Sequence, residues 1–120
     1  MDFQEHTQNH HNIREALVAA LSERQPVDLV ALRSDRHCPT GCWIHGEGAR
    51  RWAGNHALLG LMESHRTFHQ QAGLVADLIN RGQWAEAQKS LRHGSPFALA
   101  HSDLIAALRR MRATAESLAA

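Results

Sequence analysis

No run in this chain approaches the ~18 consecutive apolar residues that a membrane span needs, and nothing at its start resembles a secretory leader, so the expected location is the cytoplasm, with no membrane partner. Neither sign of charge dominates. Thirteen Lys and Arg stand against twelve Asp and Glu, and the basic residues are scattered, so no nucleic-acid partner is expected. There are only two cysteines, Cys38 and Cys42, too few and too close for a disulfide framework; a metal or redox role suits them better. Strand alternation and hairpin signals are missing throughout. Tyrosine is absent and the Trp and Phe total only six, yet there are ten histidines in a chain rich in Ala, Leu, Arg and Gln.

At 120 residues the chain is long enough for one domain, expected to span 1–120, with a single core. The pattern predicts an all-α fold. A first helix should run from Asp2 or Thr7 to Arg24, because proline at position 26 disfavours helical geometry in the residue before it. Its inward stripe is His10, Ile13, Leu17, Ala20 and Leu21. From Pro26 to Gly54 the pattern loosens: Val27 to Leu32 suggests a short helical turn, Ser34 to Gly41 reads as loop, and Gly46-Glu47-Gly48 is expected to break any helix begun at Gly41. A central helix should start near Asn55 and end at Asn80 or Arg81, with Gly82 as its left-handed terminator. A short helix from Trp84 to Leu91 follows. Ser95 as N-cap and Pro96 in the first turn then open a last helix to about Leu118, with core positions Leu104, Leu108, Met111, Ala115 and Leu118. The resulting expectation is an antiparallel four-helix bundle with a long irregular loop after the first helix.

The central helix carries Leu58, Met62, His65, His69, Ala72, Ala76 and Ile79 in a strict 4-3-4-3 spacing, so both histidines face inward. Residues four apart on a helix lie one above the other, which lets His65 and His69 aim two imidazoles at one point. That is half of a metal site. His10 lies on the inward stripe of the first helix, and Cys38 lies in a loop that must cross between the two. Three imidazoles and a thiolate suit Zn²⁺, whose ligands form a tetrahedron. A second apolar face on the central helix, formed by Leu61, Phe68, Val75 and Leu78, is more than one small bundle easily covers, so a homodimer is expected.

Three blocks occur in order: His10-x-x-Ile13; Cys38-x-x-Gly41-x-Trp43-Ile44-His45-Gly46-Glu47-Gly48; and His65-x-x-x-His69. Together, over roughly Asn9 to Leu91, they resemble the chemoreceptor zinc-binding (CZB) domain family, here without an appended output domain. The resemblance implies a four-helix bundle holding one zinc through His10, Cys38, His65 and His69. It further implies sensing of zinc or of oxidants, and a signalling partner such as a chemoreceptor or a diguanylate cyclase. The chain departs from the family pattern at Ile13, where an aromatic is common, at Thr40, where an apolar residue precedes the glycine, and at Cys42, often a basic position; the first two are expected to loosen packing.

Among the other candidates, His11 points about 100° away from His10 and is expected to be solvated or behind the ligands. His6, His37, His45, His56, His93 and His101 have no partner at ligand spacing, His37 being the nearest in sequence to Cys38. Trp43 and Trp52 are expected to cover the site, and Glu47 to accept a hydrogen bond from a ligand histidine. Glu63 lies off the His65 face and does not make an HExxH hydrolase motif. The expected function is therefore a regulatory zinc module and not an enzyme; the alternatives are a zinc enzyme with an open site and a purely structural zinc.

Overall fold

A computed structural model describes residues 1–119, the side chains of 118 and 119 excepted. The described residues are helical and contain no strand. The first helix, α1 (Phe3–Glu23), is capped by Asp2, whose carboxylate accepts from the Glu5 N–H. It ends at Arg24, which adopts the left-handed conformation (φ 54°) and returns its N–H to the Ala20 and Leu21 carbonyls. A short α2 (Leu29–Arg33) follows, capped by Asp28. The Asn80 side chain clamps the connection by bonding both the N–H and the carbonyl of Val27.

Residues 34–38 form the expected loop, but from Pro39 on the stretch expected to be loop and broken helix is a continuous helical run. Helix α3 (Pro39–Trp43) begins directly after Cys38, passes through a π-helical turn at Ile44–Gly48 and closes with Ala49–Arg51. Of the two glycines expected to break it, Gly48 serves close packing. A Cβ on Gly48 would lie 2.9 Å from the Trp43 ring, so the widened turn takes glycine where that indole folds back on it.

Helix α4 (His56–Asn80) is the axis of the molecule, capped by Asn55 and terminated as expected at Gly82 (φ 73°). A short α5 (Trp84–Ser90) leads to α6 (Pro96–Ala119), where Ser95 Oγ accepts from the Ala98 N–H. Three helices are long and three are short. The molecule is elongated, 49 × 25 × 20 Å, as expected where a helix of 25 residues sets the long axis.

Both faces of α4 are buried inside this one chain. Leu58, His65, His69, Ala72, Ala76 and Ile79 are buried on the expected stripe, with Met62 at its margin. The second face is buried too: Leu61, Phe68 and Val75 are at most 1 % exposed, and Leu78 is partly buried. Phe68 packs 5.4 Å from Phe97 of α6, the helix with which α4 has its most extensive contact. That face therefore gives no reason to expect a second copy of the chain. On α6, Leu104, Leu108 and Met111 are buried as expected and Ala115 is partly so, while the Leu118 side chain lies outside the described part. No described helix is long and apolar enough to cross a membrane.

Candidate metal centre

Each candidate ligand side chain is delivered by a different local device. His10 lies in the middle of α1, fully buried, and its Nδ1–H donates to the His6 carbonyl one turn back at 2.7 Å. His69 lies in the middle of α4, and its Nδ1–H donates to the Leu32 carbonyl of α2 at 2.8 Å. With the proton on Nδ1 in each ring, Nε2 carries a lone pair, and both lone pairs are turned toward the same space. His65, one turn before His69, brings its Nε2 to 3.1 Å from His69 Nε2 and 3.0 Å from Cys38 Sγ. Cys38 is the N-cap residue of α3, and its Sγ lies 3.9 Å from His10 Nε2. One ligand atom from each of the four residues falls within 4.8 Å of the other three, and these four form a group able to hold a metal ion.

The four donors together are electrostatically unfavourable, which is what a cation would reverse. Burial pushes His65 down to about 2 and His10 down to about 4, with neighbouring imidazoles adding to the effect in both, and burial also lowers His69. Burial raises the Cys38 thiol, opposed by the Gly41 and Thr40 N–H groups and the Thr40 hydroxyl. Neutral imidazoles and a thiol thus crowd their donor atoms together, and the buried Nδ1 of His65 has no hydrogen-bond partner. A divalent ion would bind all of these donors and deprotonate the thiol.

The sign of the pH dependence follows. A histidine held below its ordinary 6.5 takes up protons in the unfolded chain before the folded one, so stability is greatest above pH 6.5 and falls as the pH drops toward about 4. His10 alone accounts for a loss on the order of 3 kcal/mol across that window. Urea titrations of metal-free protein between pH 7.5 and 4 are expected to show a falling midpoint, and a flat profile would contradict the burial assigned to these rings.

Helix α2 reaches His69 only because position 73 has no side chain. A Cβ on Gly73 would lie 2.6 Å from Arg33 Cβ and 3.2 Å from Arg33 Cα. The variant Gly73→Ala is expected to push α2 outward, weaken the Leu32 bond to His69 and lower metal affinity by about tenfold, as loss of a supporting hydrogen bond behind a ligand does. Competition with a chromophoric chelator measures it.

The remaining sequence candidates separate clearly. His37 is exposed and outside the group, as are His56 and His93. His11 is exposed, with its ring 4.7 Å from that of His101. His101 is buried against Phe68 and Phe97, its Nε2 without a hydrogen-bond partner, and burial lowers it to about 4. Glu47 is exposed and faces Arg51 at 3.9 Å, so it does not support a ligand histidine. The aromatic ring against the ligands is that of Phe68, 5.2 Å from His10 and 5.4 Å from His69, whereas Trp43 packs on Phe3 and Trp52. His6 has a role that spacing to a metal could not reveal: it is buried, and its Nδ1 pairs with Thr40 Oγ1. Its sequence signal was present, since His6 lies one turn before His10 on the same face of α1.

A scan against protein-family models, a search of the curated proteins and a search of the solved structures each returned no match. The chemoreceptor zinc-binding resemblance therefore rests on the three motif blocks alone.

Proposed function

We propose that this chain is a zinc-binding regulatory module of the chemoreceptor zinc-binding type, with a closed site of His10, Cys38, His65 and His69. The observation that carries the reading is the convergence of three Nε2 atoms and one Sγ. Around a tetrahedral zinc with bonds of about 2.0–2.1 Å to nitrogen and about 2.3 Å to sulfur, neighbouring donors are separated by roughly 3.3–3.6 Å. Three of the six separations are 3.0, 3.1 and 3.9 Å, around that range, and all six lie within 4.8 Å. A mixed set of imidazole and thiolate donors favours zinc over calcium or magnesium, which take oxygen. Four protein donors leave no position for a substrate water, which supports regulation over catalysis. In the same reading α1, α4 and α6 are three members of a four-helix arrangement whose fourth side is built from the short helices. A homodimer belongs to the reading through the family resemblance only, as does a partner of the chemoreceptor or diguanylate cyclase kind.

The signal fits an oxidant as well as zinc itself. Cys38 is partly exposed, and a coordinated thiolate is a nucleophile that attacks hypochlorous acid, giving net sulfenic acid and chloride as the sulfur is oxidised by two electrons. The sulfenic acid is a poorer ligand, so the segment from Ser34 through α3 loses its tether to α4. The exposed Cys42, one turn beyond the N-cap Cys38, is a second thiol beside that product. One equivalent of hypochlorous acid is expected to release zinc together with loss of the Cys38 thiol, followed by mass spectrometry and a zinc dye. Modification of Cys42 alone with zinc retained would reject oxidant sensing in favour of sensing by occupancy.

A further inference from the structure

Three arginines that lie far apart in the sequence meet around one open groove of about 990 Å³ between α1 and α5. Its floor is apolar: Val18 and Leu21 of α1, Trp84 at the start of α5, and the buried Leu91 just beyond its end. Its rim carries Arg14, Arg24 and Arg92 against one carboxylate, that of Glu86. Arg14 is paired with Glu15 at 3.0 Å and Glu86 with Lys89 at 3.7 Å, so these charges cancel locally. Among the described residues, the guanidinium groups of Arg24 and Arg92 have no carboxylate partner. None of the four residues of the candidate metal centre lines the groove.

Arg24 occupies the left-handed position after α1 (φ 54°), which glycine fills by default because it has no Cβ, and it is the only non-glycine with a positive φ among the described residues. Its guanidinium lies over the Trp84 ring, 5.5 Å from the centroid. Stacking uses the face of the guanidinium and leaves the N–H donors at its edge for an anion. Arg24 is thus fixed at the Trp84 end of the floor, and Arg92, eight residues on, stands past the other end of α5, about 12 Å away at 1.5 Å per residue. An occupant must therefore bury an apolar stripe and offer an anion at each end of it. Sites for small molecules enclose most of their ligand, whereas an open, apolar-floored groove takes the apolar face of a helix. On such a helix, carboxylates at i and i+7 are about 10.5 Å apart, with positions i+3 and i+4 between them on the same face. Tryptophan and arginine are also the residues on which protein interfaces concentrate their binding energy.

We propose that the groove between α1 and α5 is a docking site for an acidic amphipathic helix of a protein partner, whose apolar stripe lies on Leu21 and Trp84 and whose carboxylates, seven residues apart, meet Arg24 and Arg92. The probe is a fluorescein-labelled, alanine-based helical peptide of about 15 residues with leucines at i+3 and i+4 between glutamates at i and i+7. Its anisotropy against the full chain is expected to show saturable binding that weakens several-fold between about 0.01 M and about 0.15 M salt. The same peptide with lysine in place of both glutamates is expected not to bind. Arg92→Glu should weaken the glutamate peptide by about tenfold, chiefly through slower association, as charges at the rim of an interface do. Arg24→Gly should weaken it by about threefold without lowering the urea midpoint, since glycine relieves the left-handed backbone, so that the loss cannot come from misfolding. Absence of saturable binding by the glutamate peptide overturns the proposal. Equal binding of the lysine peptide, or parent-like binding by both Arg24→Gly and Arg92→Glu, overturns it as well. If light scattering shows the parent chain to be a dimer that Arg92→Glu dissociates, the occupant is a second copy and the acidic partner helix is again overturned.

Discussion

Replacing His65 by alanine is expected to strip zinc from the purified chain and to lower the affinity by about two orders of magnitude. Zinc sites of four protein ligands hold roughly 10–16 kcal/mol in apparent binding free energy, and one donor in four represents about 3 kcal/mol of it. His65 is the donor nearest both Cys38 Sγ and His69 Nε2, so its removal also deprives the other two of their closest neighbour. His10→Ala, Cys38→Ala and His69→Ala are expected to follow it, while His11→Ala, exposed and outside the group, should retain zinc. Because binding to the folded state alone is also stabilisation, chelating zinc from the parent chain should lower its Tm by roughly 10 °C, and chelator should leave the Tm of His65→Ala unchanged. Zinc content equal to that of the parent chain in all four ligand variants, measured by inductively coupled plasma mass spectrometry, would contradict the assignment.

The second large effect is expected at a residue that binds nothing. A Cβ on Gly41 would lie 1.7 Å from the Asp35 carbonyl oxygen, 2.8 Å from its carbon and 3.2 Å from Arg36 Cα, all backbone atoms that no rotamer change can move aside. Gly41→Ala must therefore displace the 34–38 segment from α3, and with it the turn that presents Cys38. The expected cost is about 3 kcal/mol, the upper part of the ordinary range for overpacking, together with loss of zinc. Gly60→Ala is the natural comparison: nothing lies within 4 Å of its Cβ, and alanine inside α4 should stabilise by roughly 0.5–1 kcal/mol. Urea denaturation of the two variants with and without zinc separates steric displacement from loss of glycine flexibility. Similar midpoints for both would show that position 41 tolerates a side chain.

The three histidines of the candidate site were legible because a helix announces its faces: a 4-3-4-3 stripe containing His65 and His69 admits one inward direction, and the stripe through His10 on α1 admits another. Cys38 was legible through the motif that follows it. What periodicity does not carry is the identity of the element that covers a face. The Leu61, Phe68 and Val75 face looked available to a second chain, and α6 of the same chain buries it. Nor do glycines disclose their purpose. Gly46 and Gly48 read locally as breakers and Gly41 as the end of a loop, yet the chain runs helically through all three, and Gly41 accommodates the Asp35 carbonyl and Gly48 the Trp43 ring. Thr40 and His6 escaped for a related reason. They are 34 residues apart, and their bond appears only when α3 packs against α1.

The most direct test of the account is the coordination shell itself. Zinc-edge X-ray absorption of the purified chain loaded with one equivalent of zinc should resolve three nitrogen neighbours at about 2.0–2.1 Å and one sulfur at about 2.3 Å, with the sulfur contribution lost in Cys38→Ala. A shell of oxygen neighbours without sulfur, or one unchanged by Cys38→Ala, would contradict it.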